Sequence, residues 1–409
     1  MEELDYFPFV IVGHVDHGKS TLIGRLLFDT NSLPEGKLEE IKKTCEMLGK
    51  PFEFAYILDT LEEERKQGIT IDTTQTFFKT HKRPYVIIDA PGHKEFLKNM
   101  ITGSSQAEAA FLVVDVKEGI SEQTRRHAFI LSFLGLSQLV VVINKMDLVG
   151  WSKEAYKSLI NELDNFLNKI NIKPMAYIPI SAMEGDNVVH KSKNMSWYNG
   201  PTVVETLDLF KRLLFNVDGS LRFPVQDVYK FDSKRVIVGK IESGKLEEGD
   251  EIIILPSKEK TRVKSIEVFR SSKEAVAGRS IGITTQDPLF IDRGNVICKS
   301  SQQLPKIVNE LFVYVFWMSD QGISKGDTLY MRCSTQEVTG VLDKIFNRID
   351  SSTLESIDDL SKIEKNNVGL IKLRLDKPLI VDDFSIVPEL GRVVFENGGV
   401  ISGAGIVKM

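Results

Sequence analysis

A short stretch near the amino terminus limits the possible fold more than any other feature of this chain. Residues 13–21 read GHVDHGKST, which fits the phosphate-binding pattern G-x-x-x-x-G-K-[ST]. An apolar run, residues 7–12, precedes this loop, and a helical pattern over residues 21–28 follows it. A strand that passes through such a loop into a helix is typical of α/β folds. We therefore predict an α/β domain with a mostly parallel sheet, helices on both faces and a phosphate-binding loop.

The residue types in this loop predict how phosphates and a metal ion are held. Gly13 and Gly18 allow backbone N–H groups to turn inwards, and the helix that begins near Lys19 adds the positive end of its dipole. Lys19 is suited to neutralise the β- and γ-phosphates, and the Ser20 hydroxyl is suited to Mg²⁺, which prefers oxygen ligands. We assign the whole loop to nucleotide binding: Gly13, His14, Val15, Asp16, His17, Gly18, Lys19, Ser20 and Thr21.

A second pattern, NKMD, follows an apolar run far downstream and predicts which base is bound. The Asp147 carboxylate can accept hydrogen bonds from N1 and N2 of guanine. Adenine would leave this carboxylate unpaired at a cost of roughly 1–3 kcal/mol. Asn144 is expected to brace the loop, and Lys145 is expected to lie along the base. We expect the backbone at Ser181 and Ala182 to donate to O6 of guanine, so the predicted ligands are GTP and GDP.

Two further segments predict a sensor for the γ-phosphate. In DAPGH, Asp89 is placed to hold Mg²⁺ through a water, and Gly92 is placed to bring its N–H near the γ-phosphate. In GITID, Thr70 supplies a second hydroxyl ligand for Mg²⁺. His93 is the candidate catalytic residue that orients the attacking water, and the alternative is an exposed histidine in a mobile loop. Loss of the γ-phosphate is expected to release both segments.

The ordered set GHVDHGKST, GITID, DAPGH, NKMD and SAM resembles the translation-factor class of GTPases. This resemblance implies a P-loop GTPase domain followed by two β-barrel domains, and β-rich runs from residue 223 onward agree with it. We place the domains at residues 1–215, 222–302 and 305–409. The resemblance also implies that Val15 and Ile69 form an apolar gate near the histidine. No arginine in the motifs resembles a built-in arginine finger, so slow hydrolysis accelerated by a partner is expected.

Sequence similarity outside the nucleotide motifs favours one function. Several segments are similar to the large, GTP-hydrolysing subunit of bacterial sulfate adenylyltransferase, among them QTRRH (123–127), MEGDNV (183–188), WYNGPT (197–202) and FPVQ (223–226). The implied function is a GTPase subunit that drives the formation of adenosine 5′-phosphosulfate and pyrophosphate from ATP and sulfate. A small ATP- and sulfate-binding subunit would be the partner. His17 departs from that subunit's pattern, in which an aspartate is expected.

Two alternatives stay open. The first is an elongation-factor-type GTPase that delivers aminoacyl-tRNA to the ribosome, and the second is a regulatory GTPase that binds another protein. RNA binding requires basic grooves. Residues 304–409 contain 12 Lys and Arg against 15 Asp and Glu, without a basic cluster in the sequence. This balance argues mildly against nucleic acid as a partner.

Composition indicates a cytoplasmic, multidomain protein. The chain has 409 residues, of which 42% are hydrophobic and 27% charged, and this length exceeds what one core usually serves. The three cysteines, Cys45, Cys298 and Cys333, are odd in number and far apart, which favours a reducing compartment. The first residues are acidic, and no apolar run approaches the ~18 residues of a membrane span, so neither a leader peptide nor a membrane partner is expected.

Overall fold

The computed structural model describes residues 6–33, 35–47, 53–57, 75–88, 107–212, 216–231, 234–268 and 272–409. The predicted site residues Thr70, Asp89, Gly92 and His93 lie outside these ranges. The chain divides into two compact units, Met1–Arg212 and Leu213–Met409.

The first unit contains a six-stranded sheet, and its strands are β1 (Phe7–Gly13), β2 (Gln75–Lys79), β3 (Pro84–Ile88), β4 (Ala109–Asp115), β5 (Leu139–Asn144) and β6 (Ala176–Pro179). The strand order is β2-β3-β1-β4-β5-β6. All neighbours pair in parallel except β2, which is antiparallel to β3. Every residue of β4 and β5 is buried. Such continuous apolar strands are expected where helices cover both faces of a sheet.

The described residues of this unit form the helices α1 (Lys19–Asp29), α2 (Lys37–Met47), α3 (Glu122–Phe133), α4 (Lys153–Lys169) and α5 (Val203–Leu207). The hydroxyls of Ser121 and Ser152 cap α3 and α4 by accepting backbone N–H bonds. Helix α1 differs, because it begins after Gly18 without a side-chain cap. No capping side chain therefore competes with a ligand at the amino end of α1. Among the described residues, no helix has the length and apolar character needed to cross a membrane.

The second unit begins with a closed barrel. Its strands are β7 (Phe223–Phe231), β8 (Lys234–Lys240), β9 (Lys245–Glu247), β10 (Glu251–Leu255), β11 (Glu259–Glu267), β12 (Glu274–Val276), β13 (Ser280–Thr285) and β14 (Val296–Lys299). Six of them close the barrel in the order β10-β11-β13-β8-β7-β14, and β9 pairs with β12 in a separate ribbon. Apolar side chains such as Phe223, Ile252 and Ile283 fill the interior.

A second barrel follows, with strands β15 (Lys306–Trp317), β16 (Ile323–Ser324), β17 (Thr328–Cys333), β18 (Gln336–Ile345), β19 (Ile349–Asp350), β20 (Lys362–Ile363), β21 (Asn367–Val381), β22 (Arg392–Asn397) and β23 (Val400–Val407), and with a short helix α6 (Pro388–Gly391). The order β15-β23-β22-β17-β18-β21 becomes a ring because β21 also pairs with β15. Trp317 belongs to its core. The predicted fold class, an α/β P-loop domain followed by two β-barrels, is confirmed.

The two barrels pack against each other within the second unit. The Arg222 guanidinium, at the start of the first barrel, lies 2.7 Å from the Asp382 carboxylate of the second, and both side chains are largely buried. Apolar residues from both barrels, including Leu255, Cys298 and Leu390, form a shared cluster. The boundaries 1–215, 222–302 and 305–409 remain a prediction.

Candidate nucleotide-binding site

The phosphate-binding loop connects β1 to α1 and requires glycine at both ends. A Cβ atom on Gly13 would lie 2.4 Å from the Val113 carbonyl oxygen of the adjacent strand β4. Gly18 has φ +86°, a left-handed conformation, and a Cβ there would lie 2.3 Å from the Asn144 side-chain nitrogen. Both positions therefore exclude larger residues, and the loop backbone can follow a phosphate chain closely.

Asn144, at the end of β5, connects the phosphate loop to the predicted base-binding loop. Its Nδ2 donates to the His17 carbonyl at 2.9 Å, and its Oδ1 accepts from the Ala182 N–H at 3.0 Å. The side chain is buried, so water competes little for these bonds. One amide thus fixes the spacing between the two ends of the site.

Lys19 lies against the loop that it terminates. Its ammonium donates to the carbonyl oxygens of Gly13 and His14, at 2.8 and 2.6 Å respectively. A cation at this place, together with the uncapped start of α1, makes the loop electropositive. The Ser20 side chain is half-buried in the first turn of α1, next to this charge. The donor set fits a phosphate chain with a hard cation beside it.

His17 is buried, although the sequence assigned it to nucleotide binding. Its Nδ1 lies 3.3 Å from the Val113 carbonyl oxygen, and its Nε2 lies 3.0 Å from the Glu118 carboxylate. Burial lowers the pKa of His17, although both neighbours are acceptors that favour the charged ring. His14 also leaves the loop interior, with its Nδ1 2.5 Å from the Gln123 side-chain oxygen. These two imidazoles brace the loop against β4 and α3.

The base-binding side contains a residue that the sequence reasoning missed. Asp115 ends β4 and lies 2.8 Å from the Lys145 ammonium. Burial raises the pKa of Asp115, but bonds from Lys145 and from the N–H groups of Lys117 and Glu118 outweigh it, so the pKa lies below its usual value. An ionised Asp115 thus orients Lys145, whose φ is +64°. The available signal was an aspartate that ends a wholly apolar strand beside β5.

Asp147 lies in a turn of 3₁₀ helix, Met146–Val149, that follows β5. Its side chain is half-buried, and within the described ranges its carboxylate makes no side-chain hydrogen bond. Its oxygens are therefore available to a ligand. Ser181 is fully buried and accepts the Glu184 N–H at 3.2 Å, which shapes the turn that also contains Ala182.

The structure gathers the described part of the predicted site at the carboxyl ends of β1, β5 and β6, where open α/β sheets bind ligands. The phosphate loop (13–21) follows β1, Asn144, Lys145 and Asp147 lie at or just after the end of β5, and Ser181 with Ala182 follows β6. The assignments of Thr70 and Asp89 to magnesium, of Gly92 to the γ-phosphate and of His93 to catalysis concern residues outside the described ranges. These assignments remain predictions.

Comparison with known families identifies the class of protein. The chain matches the elongation factor Tu GTP binding domain over residues 5–218, elongation factor Tu domain 2 over residues 234–298 and the GTP-eEF1A C-terminal domain over residues 311–408. It belongs to the elongation factor Tu and 1-alpha family of GTP-binding proteins.

Relatives that match along nearly the whole chain are elongation factors 1-alpha. Elongation factor 1-alpha of Thermoplasma acidophilum is 39% identical over 98% of this chain and 97% of the relative. The same factor of Thermococcus celer is 37% identical over 99% and 98%. A solved structure of sup35 complexed with GMPPNP is 24% identical over 99% of this chain and 94% of its own, with a TM-score of 0.45. The predicted cofactors, GTP and GDP with Mg²⁺, are confirmed by the family membership.

The prediction of a sulfate adenylyltransferase subunit is wrong, and with it the small ATP- and sulfate-binding partner, because the whole-length relatives are elongation factors 1-alpha. The segments that suggested it contain residues that build the fold. The Trp197 indole donates to the Trp151 carbonyl, Thr202 caps α5, and the Asn187 amide donates to the Pro179 carbonyl. Such residues position elements and do not specify what the GTPase drives.

Proposed function

We propose that this protein is an elongation-factor-type GTPase of the cytoplasm that binds aminoacyl-tRNA in its GTP state and delivers it to the ribosome. The observation that carries this proposal is the similarity to elongation factors 1-alpha along both barrels as well as the nucleotide domain. A shared GTPase domain alone would support many functions. A shared three-domain chain supports a shared task.

The proposed mechanism assigns a separate task to each end of the site. The loop amides and Lys19 bind the phosphates, while Asp147 and the Ala182 N–H select guanine. Mg²⁺, when bound, would neutralise negative charge on the phosphates. Ser20 and Thr70 are the proposed direct ligands, and Asp89 would act through a water. His93 orients the attacking water, and Gly92 reports whether the γ-phosphate is present.

The first barrel offers a basic cavity that suits RNA. A cavity of about 610 Å³ has three cationic side chains, Lys234, Arg235 and Lys264, against one carboxylate, Asp287, and the rest of its lining is polar or apolar. Lys234 is paired with Glu267 at 2.7 Å but remains half-exposed. Lysine and arginine grouped around a concavity bind phosphate backbones by releasing counterions. The local charge therefore supports a nucleic-acid partner despite the net charge of −5 for the whole chain.

A binding experiment tests this function directly. The full chain is loaded with a non-hydrolysable GTP analogue or with GDP, and its affinity for aminoacyl-tRNA is measured by gel shift and by protection of the aminoacyl ester. We expect tight binding with the analogue, binding at least about 100-fold weaker with GDP, and no ester protection with GDP. Equal affinity in both nucleotide states, or no complex with folded, GTP-loaded protein, would overturn the proposal. Deacylated tRNA is the ligand control.

The catalytic role of His93 needs its own measurement. His93→Ala is expected to slow GTP hydrolysis by about 100-fold or more while GTP affinity stays nearly constant, because a positioning group acts on the water. His81, an exposed histidine on the turn between β2 and β3, gives a matched control as His81→Ala. Parallel loss of affinity and hydrolysis in His93→Ala would contradict this assignment.

A further inference from the structure

Exposed aromatic rings and lysines cluster on the outer surface of the second barrel, far from any nucleotide motif in the sequence. We call this surface the aromatic–lysine face, and its members are Phe312, Tyr314, Lys344, Phe346, Lys372 and Lys408. They come from β15, β21, the end of β18 with the residue after it, and the residue after β23. Neither the GTPase site nor the cavity of the first barrel uses them.

The strand register makes this face one continuous surface. Phe312 pairs with Lys372 on β21, and Lys372 pairs with Lys344 on β18. On the other side, the Lys408 N–H donates to the Phe312 carbonyl at 2.8 Å. Neighbouring strands lie about 4.8 Å apart, so these side chains are adjacent. Tyr314 lies two residues beyond Phe312 and therefore points to the same outer side.

Three large rings on this face remain open to solvent. Phe312 and Tyr314 are each 37% exposed and Phe346 is 40% exposed. The rings of Phe312 and Phe346 lie 5.9 Å apart, centroid to centroid. Removing apolar surface from water gains about 25 cal/mol per Å², so grouped exposed rings favour a covering partner.

The lysines determine the chemistry of that partner. Their ammonium groups lie over the rings, with distances to the centroid of 4.9 Å for Lys344 over Phe346, 5.8 Å for Lys372 over Phe312 and 5.7 Å for Lys408 over Tyr314. Lys372 is also paired with Glu310 at 2.8 Å and lies 3.7 Å from the Asp343 carboxylate, so its charge is already neutralised. Among the described residues, Lys344 and Lys408 have no carboxylate within ion-pair distance. Two positive charges are thus available beside apolar surface.

These contacts discriminate between possible occupants. A nucleic-acid base would have to displace an ammonium before it could stack on a ring, which weakens the case for single-stranded RNA. A symmetric contact with a second copy would place lysine against lysine. A carboxylate can approach each ammonium where it lies, while apolar neighbours cover the ring edges. We propose that the aromatic–lysine face docks a partner-protein segment in which acidic and apolar side chains alternate.

A defined peptide tests the proposal on the full chain. The probe is a short fluorescein-labelled peptide in which Glu alternates with Leu and Phe, and its control carries Gln in place of Glu. Fluorescence anisotropy is expected to show binding of the Glu peptide, affinity at least about ten-fold lower for the Gln peptide, and weakening with added salt. Lys344→Glu with Lys408→Glu should abolish this preference. Lys325→Glu, at an exposed lysine elsewhere on the barrel, should leave it unchanged.

The apolar half of the face is tested separately. Phe312→Ser with Phe346→Ser should lower the affinity for the Glu peptide by about ten-fold or more, because the covered ring area is lost. Unchanged melting temperature and GTP binding would show that each variant is folded. No peptide binding, or binding that ignores both pairs of substitutions, would overturn the proposal. Two other results would also overturn it. If the chain binds oligouridylate and Lys344→Glu with Lys408→Glu removes this binding, the face binds RNA. If the chain self-associates and the same substitutions prevent it, the face binds a second copy.

Discussion

The nucleotide-binding unit and the barrel unit differ in how their functional residues are distributed along the chain. In the first unit, short motifs lie at the ends of parallel strands, so neighbours in sequence such as Asn144, Lys145 and Asp147 lie together at one proposed ligand site. In the barrels, a surface consists of single residues from several strands. The aromatic–lysine face is an example, with Phe312, Lys344 and Lys408 on or next to three different strands. The ligand of the first unit can therefore be predicted from the sequence, whereas the partners of the second cannot.

This difference explains the error in the functional prediction. The net charge of residues 304–409 argued against RNA, yet this count leaves out the first barrel and averages over the second. Lys234, Arg235 and Lys264 line one cavity, and three lysines lie on one face of the second barrel. An average over a domain removes such patches from view. The sulfate-binding partner was predicted from residues that build the fold. Such residues do not distinguish members of a fold family that have different functions.

The largest effect is expected at the base-selecting carboxylate. Asp147→Asn should lower GTP affinity by about 1,000-fold, because an amide cannot accept both guanine donors, and should raise affinity for xanthine nucleotides. Calorimetry with GTP and XTP measures both changes. The matched variant Asp218→Asn alters an exposed aspartate in the barrel unit and should bind GTP normally. Unchanged GTP affinity in Asp147→Asn would show that the NKMD motif does not select the base. The ligand of the first unit could then not be predicted from its sequence motifs.

A somewhat smaller effect is expected where one side chain joins the two ends of the site. Asn144→Ala leaves the His17 carbonyl and the Ala182 N–H without their buried partner. Affinity for GTP and GDP should fall together by about 100-fold, with no gain for XTP. Asn144→Asp keeps the acceptor for Ala182 but loses the donor, so an intermediate loss is expected. A loss confined to one nucleotide would show that Asn144 acts on the γ-phosphate instead.

The sequence predicted the sheet and its loops because β1, β4 and β5 are apolar runs with recognisable residues after them. It missed Asp115 and Glu118, whose partners Lys145 and His17 lie 30 or more residues away and become neighbours only through parallel pairing. Such contacts leave no pattern in a single sequence. The available hint was the position of Asp115 at a strand end.

Strand β23 shows a different limit. Val400–Val407 contains two glycines, and glycine is depleted in strands, so residue propensity alone does not favour a strand here. Packing reverses this preference. A Cβ on Gly403 would lie 2.7 Å from the Trp317 ring, and one on Gly405 would lie 2.4 Å from the Val313 side chain. Glycine here allows close approach to the core, which single-sequence propensity cannot anticipate.

A moderate, pH-dependent effect is expected in the barrel unit. The Glu242 side chain is 11% exposed and lies 3.1 Å from the Lys240 ammonium. Burial, followed by the charge of Glu389, raises the pKa of Glu242 to about 7, whereas Lys240 and Arg392 lower it less. The pKa of Glu242 is higher in the folded chain than in the unfolded chain, so protonation of Glu242 favours the folded state. This contribution to the free energy of unfolding is full at acid pH and is lost as pH rises through about 7.

Glu242→Gln should therefore remove this pH dependence and raise the free energy of unfolding at pH 8 by about 2 kcal/mol, with little change at pH 5. Urea denaturation of the full chain at both pH values measures it. Glu247→Gln, at a more exposed carboxylate, is the control. A variant less stable than the parent at pH 8 would mean that the Lys240 pairing outweighs burial.

The smallest effect, and the sharpest test of the comparison, concerns the basic cavity of the first barrel. Lys234→Gln with Lys264→Gln should lower affinity for aminoacyl-tRNA by about ten-fold and reduce the salt dependence by about two phosphate contacts. GTP affinity should stay unchanged, because no residue proposed to bind the nucleotide belongs to this barrel. Lys273→Gln, an exposed lysine outside the cavity lining, is the control. If the affinity for tRNA and its dependence on salt concentration are both unchanged, the RNA contacts lie elsewhere on the chain. If GTP affinity falls as well, the division of labour between the two units is wrong.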